Sequence, residues 1–557
     1  MANKLDIVER VSYLSSVHKD DDKYGGIRTP EAFDIEGGAL RQGGAPRLFS
    51  RQYGGLLAQY AAVGLIYGTL PNTVYPFLQK YLNVQGNQTI TAATLIDIPW
   101  SFKVFYGIVT DCFPIFGFRR RPYMIIGWSL CLLMLIVMAS TPVGEPYFMD
   151  PQYRKVKPED YTPEIEATLN RSAQDKGGKY VILMMLAAFG YLMADVAADA
   201  VVVELAQREP ENVRGTTQTV IYSTRTLFVV IAQVIQAFGF NGKDYGGQFD
   251  FSISFPTLML ILAICLAPVV PVTWFFITEE RVAQRVPFTG YLSDLWSAIK
   301  SRAFYQVIAY KFFSGVFENF TYVAQNPVQD YWAGVTTLNE KISGIIGQAV
   351  FGTALVVTGK YGLSWNWRVM PIVTMIAVIA LDSICTQLTV WNVFRNQWFW
   401  LGVPIVEYVP KGINFIISTY VTVELAGEGN EGAVYGLITT VSNLSDPFAR
   451  TIAKNIDATM DFSTERIQND SHEVRRDVTI SILIMYAAKL FSLCFLVLLP
   501  RQKAETQELK RNGGSSKVMG AITVFYLLFA LVWSLTTNIL GIFPSTACLK
   551  IAGGDGC

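Results

Sequence analysis

From residue 54 onward the chain is a succession of long apolar runs, and this pattern limits it to a multi-pass membrane protein. Each run approaches the ~20 residues a helix needs to cross ~30 Å of hydrocarbon. They fall at about 54–80, 90–111, 122–142, 179–205, 215–240 and 254–278, then at 303–326, 339–358, 368–390, 398–424, 431–455 and 477–500, with a last one at 518–543. All are expected to be helices, because hydrocarbon offers no partner for a free backbone N–H or C=O. The composition fits this. Charged residues are 16% and apolar residues 51% of the chain, too few polar side chains to cover a soluble protein of this size, where about 25% are charged.

The runs fall into two groups of six. The expected fold is all-α and integral to the membrane, with two six-helix bundles (6+6) and an extra C-terminal transmembrane helix. The expected divisions are a polar cytoplasmic tail at 1–52, bundles at 53–278 and 303–500, and a cytoplasmic central loop at 279–302. A cytoplasmic linker at 501–517, the extra helix at 518–543 and a C-terminal tail at 544–557 follow. Residues 1–50 lack the apolar core of a signal peptide.

Orientation follows from the basic residues, which favour the cytoplasmic side. With the N-terminus inside, the inner loops hold Arg119, Arg120, Arg121, Arg208, Arg214, Arg281 and Arg285, among others. The sequons Asn87, Asn170 and Asn469 then lie outside, where glycosylation is possible. Cys548 and Cys557 would share an oxidising compartment, as a disulfide or as two free thiols. The plasma membrane is the default location and an organellar membrane the alternative.

Several chemistries are excluded. The chain has 2 His, His18 and His472, both in polar stretches, and no CxxC, which argues against a metal site or histidine catalysis. A formal net charge of +0 gives no basic excess for nucleic acid. Gly427, Gly429 and Gly432 match G-x-G-x-x-G, but they follow a membrane helix, not a strand, so no dinucleotide is expected. No cofactor, metal or enzymatic activity is expected. The expected partners are the bilayer, a small solute and protons, and the chain is expected to be monomeric.

Two short patterns carry more. Val201–Ala206 and Val421–Ala426 both read VxVELA, each at the inner end of the fourth helix of its group, as an internal repeat would place them. The loop after the second run holds Gly107, Asp111, Gly117, Arg119, Arg120 and Arg121. These resemble the major-facilitator signature G-x3-D then G-x-[RK]-[RK], with a longer gap before the second Gly. They suit a cytoplasmic latch: Gly107 for close helix approach, Asp111 to cap or pair, the arginines as partners. Breaking the latch would favour an inward-open state.

With PWSFKVFYGIVTDCFPIFGFRRRPY, GLIYGTLPNTVYPFLQKYL and ADVAADAVVVELA in view, the chain resembles the folate–biopterin transporter family of the major facilitator superfamily over roughly residues 50–500. The resemblance implies uptake of folates or pterins, or in some relatives S-adenosylmethionine, usually with proton coupling. The alternatives are a carrier of S-adenosylmethionine or another nucleoside-like solute, and, from a different class, a membrane enzyme or a transport-dead receptor.

Independently of that resemblance, charges sit where lipid would be. Lys103, Asp195, Asp199, Arg225, Lys311, Glu318, Asp382, Glu407, Lys411, Asp446 and Arg450 all fall within apolar runs. At ~2.5–3.5 kcal/mol each, isolated charges would together cost more than about 25 kcal/mol. They must pair or face water. Asp195 and Asp199 are four apart and share a helical face, as do Glu407 and Lys411, which can pair. For the cargo the resemblance implies, Asp195, Asp199 or Glu407 would accept the pteridine N–H donors, and Lys103, Arg225 or Lys411 would hold the glutamate tail. Asp195 or Asp199 would carry the coupling proton, or would serve as a structural ion pair with Lys103 or Arg225. The prolines of GTLPNTVYP are expected to break the first helix in its outer half.

Overall fold

In the computed structural model, residues 37–551 are described except 85, 157–160, 283–286, 428, 458–459, 461, 463, 543–545, 547–548 and 550. Most of the N-terminal tail, His18, Cys548 and Cys557 lie outside the described residues.

Among the described residues the apolar runs are helices, and no strand forms. The first group comprises α1 (Gly54–Val74), α2 (Gly86–Ser101), α3 (Lys103–Cys112), α4 (Arg121–Ser140), α5 (Gly177–Gln207), α6 (Thr216–Gly239), α7 (Phe255–Leu266) and α8 (Val269–Phe276). Here α2 with α3, and α7 with α8, are each one apolar run interrupted once. After α9 (Phe288–Lys300) comes the second group: α10 (Arg302–Glu318), α11 (Thr337–Tyr361), α12 (Val369–Val390), α13 (Gln397–Leu425), α14 (Glu431–Asp457) and α15 (His472–Ser492). Then follow α16 (Lys503–Asn512) and α17 (Lys517–Ile542).

Among the described residues, seven stretches are individually long and apolar enough to cross a membrane. They correspond to α4, α5, α6, α7 with α8, α11, α12 and α15 with the turn that follows it. Those outside this set, including α1, α2 with α3, α10, α13 and α14, are shorter or more polar. The two groups meet where α3 packs on α14 and α6 on α11, while α5 touches both α13 and α14. Helix α17 lies across α2, α9, α10 and α14, and so touches both groups.

Three local features depart from expectation. The first helix is not broken: α1 runs through Pro71 and continues as a π-helix over Tyr75–Tyr81. Widening the turn keeps the chain helical past residues that lack an N–H. The interruption falls in the second run instead, at Phe102, three residues after Pro99. Finally, the central loop contains α9, whose Tyr291, Leu295 and Ile299 recur every four residues and bury one face.

The backbones of the two groups approach closely where α3 packs against α14. A Cβ on Gly107 would lie 2.3 Å from the Gly432 carbonyl oxygen. Gly107→Ala is therefore expected to cost ~1–3 kcal/mol of stability through overpacking. Gly402→Ala, on α13 with nothing within 4 Å of the added carbon, is expected to be neutral or slightly stabilising. Thermal unfolding of the two purified variants checks both.

Candidate functional site

Two clusters of buried charge lie along the junction of the groups. The first surrounds the loop between α3 and α4. Arg120, whose side chain is 1% exposed, places Nη1 2.5 Å from Asp111 Oδ1 and Nη2 3.3 Å from both Glu204 and Glu431. Asp111 also accepts from the Ala433 N–H at the start of α14 (2.9 Å) and from the Tyr291 hydroxyl of α9 (2.9 Å). Arg41, ahead of α1, pairs with Glu431 and lies 3.7 Å from Glu204. Burial on its own would lower the Arg120 pKa, but Asp111, Glu204 and Glu431 outweigh it and raise it. The cation is thus fixed between carboxylates of both groups.

The other residues of that loop have separate places. Gly117 takes the left-handed conformation (φ 82°) that glycine allows. Arg119 approaches Glu204 at 3.9 Å. Arg121 turns away, donating to the carbonyls of Trp274 and Glu279. The Glu279 carboxylate accepts from the backbone N–H groups of Arg119, Arg120 and Arg121 (2.6–2.9 Å), capping α4. The glycine-rich loop also serves this cluster, since Gly429 N–H donates to Glu431 (3.0 Å). The glutamates of the VxVELA repeat have matched surroundings. Glu204 meets Arg120, and Glu424 accepts Arg214 Nη1 at 2.7 and 2.8 Å, a further bridge between the groups.

The second cluster is deeper. Lys103, at the start of α3 and 1% exposed, donates to Asp195 (2.6 Å) and Asp199 (3.2 Å) on α5. Asp199 also accepts from the hydroxyls of Tyr60 (2.5 Å) and Tyr222 (3.1 Å). Tyr222 in turn hydrogen-bonds Tyr435 of α14 (2.6 Å), linking the aspartates to the second group. The Lys103 ammonium lies 4.7 Å from the Trp100 ring centre. Asp195 Oδ1 is buried with no hydrogen-bond donor among the described residues. Such an orphaned acceptor calls for an explanation, and a ligand donor is one.

The remaining sequence candidates are divided between this cluster and elsewhere. Arg225 joins it from α6, beside the edge-to-face pair of Tyr222 (5.0 Å) and Phe415 (5.1 Å) and in no ion pair among the described residues. Glu407 and Lys411 do not join it. They pair with each other on α13 (3.1 Å), and Glu407 also meets Lys489 of α15 (3.5 Å), beside a separate cavity. Of the sequons, Asn170 donates to the Glu145 carbonyl (2.9 Å) and Asn469 is exposed. Asn87 is in the first turn of α2, its side chain outside the described residues. Tyr60, Tyr222, Tyr435, Arg41, Arg214, Glu279 and Glu431 were not foreseen as site residues. Only the repeated Glu424 pointed toward one of them, Arg214.

The sequence profile of the BT1 family matches residues 64–148 and 171–517. The chain belongs to the BT1 family. Among curated BT1-like relatives, the folate-biopterin transporter of Synechocystis sp. is 19% identical over 447 residues, covering 77% of this chain and 78% of that protein. "Probable folate-biopterin transporter 4" of Arabidopsis thaliana is 23% identical over 163 residues, or 29% of this chain and 27% of that protein. The solved structure of the major facilitator superfamily proton:xylose symporter bound to 6-bromo-6-deoxy-D-glucose overlays with a TM-score of 0.52 at 11% identity. The overlay covers 84% of this chain and 98% of that one. This BT1 member therefore has the major-facilitator fold and is a multi-pass membrane protein.

Removing the Arg120 guanidinium would leave Asp111, Glu204 and Glu431 without the cation they share. Arg120→Ala is expected to cost ~3–5 kcal/mol, with Arg120→Lys only partly restoring it because an ammonium cannot fork between carboxylates. Thermal unfolding, together with faster labelling of an Ala433→Cys reporter by an impermeant thiol reagent, checks this.

Proposed function

We propose that the chain is a secondary transporter that carries folate or a related pterin by alternating access, coupled to protons. The observation that carries this reading is the Lys103–Asp195–Asp199 triad, buried where the two groups meet. The relatives named for folate and biopterin support the cargo class. A pteridine ring presents adjacent N–H donors, and the free Asp195 Oδ1 is an acceptor suited to one of them. The glutamate tail of a folate is anionic, and Lys103 and Arg225 are the cations beside those aspartates. Trp100, Tyr222 and Phe415 supply ring faces for stacking.

In this reading the Arg120–Glu431 and Arg214–Glu424 bridges close the inner side, and both must part before cargo leaves inward. Moving an anion inward against a negative-inside potential costs ~2.3 kcal/mol per charge per 100 mV. A proton taken up by Asp199 or Asp195 offsets one charge and loosens the hold on Lys103, tying protonation to cargo binding. Asn87, Asn170 and Asn469 are the sites where an outer-face glycan would attach.

Uptake by purified protein in liposomes tests the reading, comparing folic acid, biopterin and S-adenosylmethionine with and without a pH gradient. Folic acid or biopterin uptake that accelerates when the outside is acidic is expected. Uptake of S-adenosylmethionine alone, or of none of the three, overturns the cargo assignment. Asp199→Asn is expected to retain exchange of cargo across the membrane while losing the acceleration by a pH gradient. Unchanged gradient dependence in that variant removes Asp199 from the proton role.

A further inference from the structure

The second group encloses a cavity of about 330 Å³ between α10, α12, α13 and α15. It lies away from the Arg120 face: it is bordered by the end of α10 and the first half of α13, whose far end carries Glu424 at the inner face. All of its lining residues belong to the second group, so it is not the space around Lys103.

Its lining carries charge of both signs. Asp382 of α12, 7% exposed, accepts from the Tyr486 hydroxyl (2.8 Å), and Glu318, at the end of α10, accepts from Asn414 Nδ2 (3.1 Å). Neither carboxylate has an ion pair among the described residues. Lys411 and Lys489 share the single carboxylate of Glu407, at 3.1 and 3.5 Å. The lysine cluster therefore has one positive charge in excess, and the two unpaired carboxylates are negative. Tyr322, Trp400 and Tyr408 stand among them. Helix α10 also ends at Glu318, so the negative end of its dipole adds to the charge of that carboxylate.

We infer that this cavity is a second binding site, for an amphoteric solute: a ring or amine with N–H donors facing Asp382 and Glu318, and an anionic end facing Lys411 and Lys489. It is large enough for a small ligand, since pockets for such molecules begin near 300 Å³. It also leads toward the deeper cluster. Lys411 stands one turn of α13, ~6 Å, from Phe415, whose ring packs edge-on against Tyr222, and the Tyr222 hydroxyl bonds Asp199. Cargo held here is one helical turn from the rings around the aspartates. The identity of the solute rests on the folate reading; the existence of a second, bipolar site does not.

The test is equilibrium binding of folic acid to the purified full chain. Two binding events are expected in the parent protein. Lys411→Gln, at a side chain 57% exposed and so tolerant of change, and the near-isosteric Asp382→Asn should each weaken one event tenfold or more. Lys103→Gln should weaken the other. Biopterin, which lacks the anionic tail, should bind in a way that Asp382→Asn weakens and Lys411→Gln does not. A single binding event, or two that neither Lys411→Gln nor Asp382→Asn alters, overturns the second site while leaving the folate reading intact. No binding of folic acid or biopterin to the parent protein overturns the folate reading itself.

Discussion

Hydrocarbon supplies neither water nor counter-ions, so an ionised group inside this bundle has to find a partner in the chain or face a polar cavity. That requirement organises the structure. The aspartates of α5 and Lys103 of α3 are held together across neighbouring helices, the tyrosines of α1 and α6 donate to Asp199, and the α14 tyrosine bonds the one from α6. Beside the loop between α3 and α4, Arg120 is shared by three carboxylates from both groups, with Arg41 and Arg119 added around it. Pairing of this kind is a different matter from surface ion pairs, which contribute little. Here the alternative to a partner is a bare charge at several kcal/mol.

Because some of these pairs join the two groups, neutralisation and shape are coupled. Arg120–Glu431, Arg214–Glu424 and the Tyr222–Tyr435 hydrogen bond all span the junction. A rearrangement that separates the groups at these contacts has to supply water or ligand atoms to each of these polar atoms. Two packings of comparable energy are what a carrier of this fold needs.

The helices were legible because their signal is long and redundant: twenty apolar residues in a row withstand any local irregularity. The irregularities themselves were not. Pro71 and Pro76 in the first run promised a break, yet the chain widened into a π turn, and the interruption appeared after a single proline in the next run. Local composition does not say which proline the packing will accommodate. Lys103, Asp195 and Asp199 stood out because charge within an apolar run is conspicuous, and the four-residue spacing placed both aspartates on one face. Tyr60, Tyr222 and Tyr435 did not, because the chain has 27 tyrosines and only three-dimensional proximity distinguishes these three. Arg41 was hidden by its setting in a polar, glycine-containing stretch that looked like tail, 390 residues away from the glutamate it meets. Lys411 and Glu407 did pair with each other, but helical spacing carries no information about which side of the bundle the pair would face.

The interruption at Phe102 makes Lys103 the first residue of α3. The amino end of a helix is its electropositive pole, where a cation is disfavoured by ~0.3–1 kcal/mol. The carboxyl pole of α2, ending at Ser101, and the Trp100 ring offset part of that penalty, and two aspartates supply the rest of the hold. A straight helix through this point would have held the lysine more indifferently. The break leaves it biased toward departure, so that neutralising a single carboxylate weakens its tether more than the two contact distances would indicate.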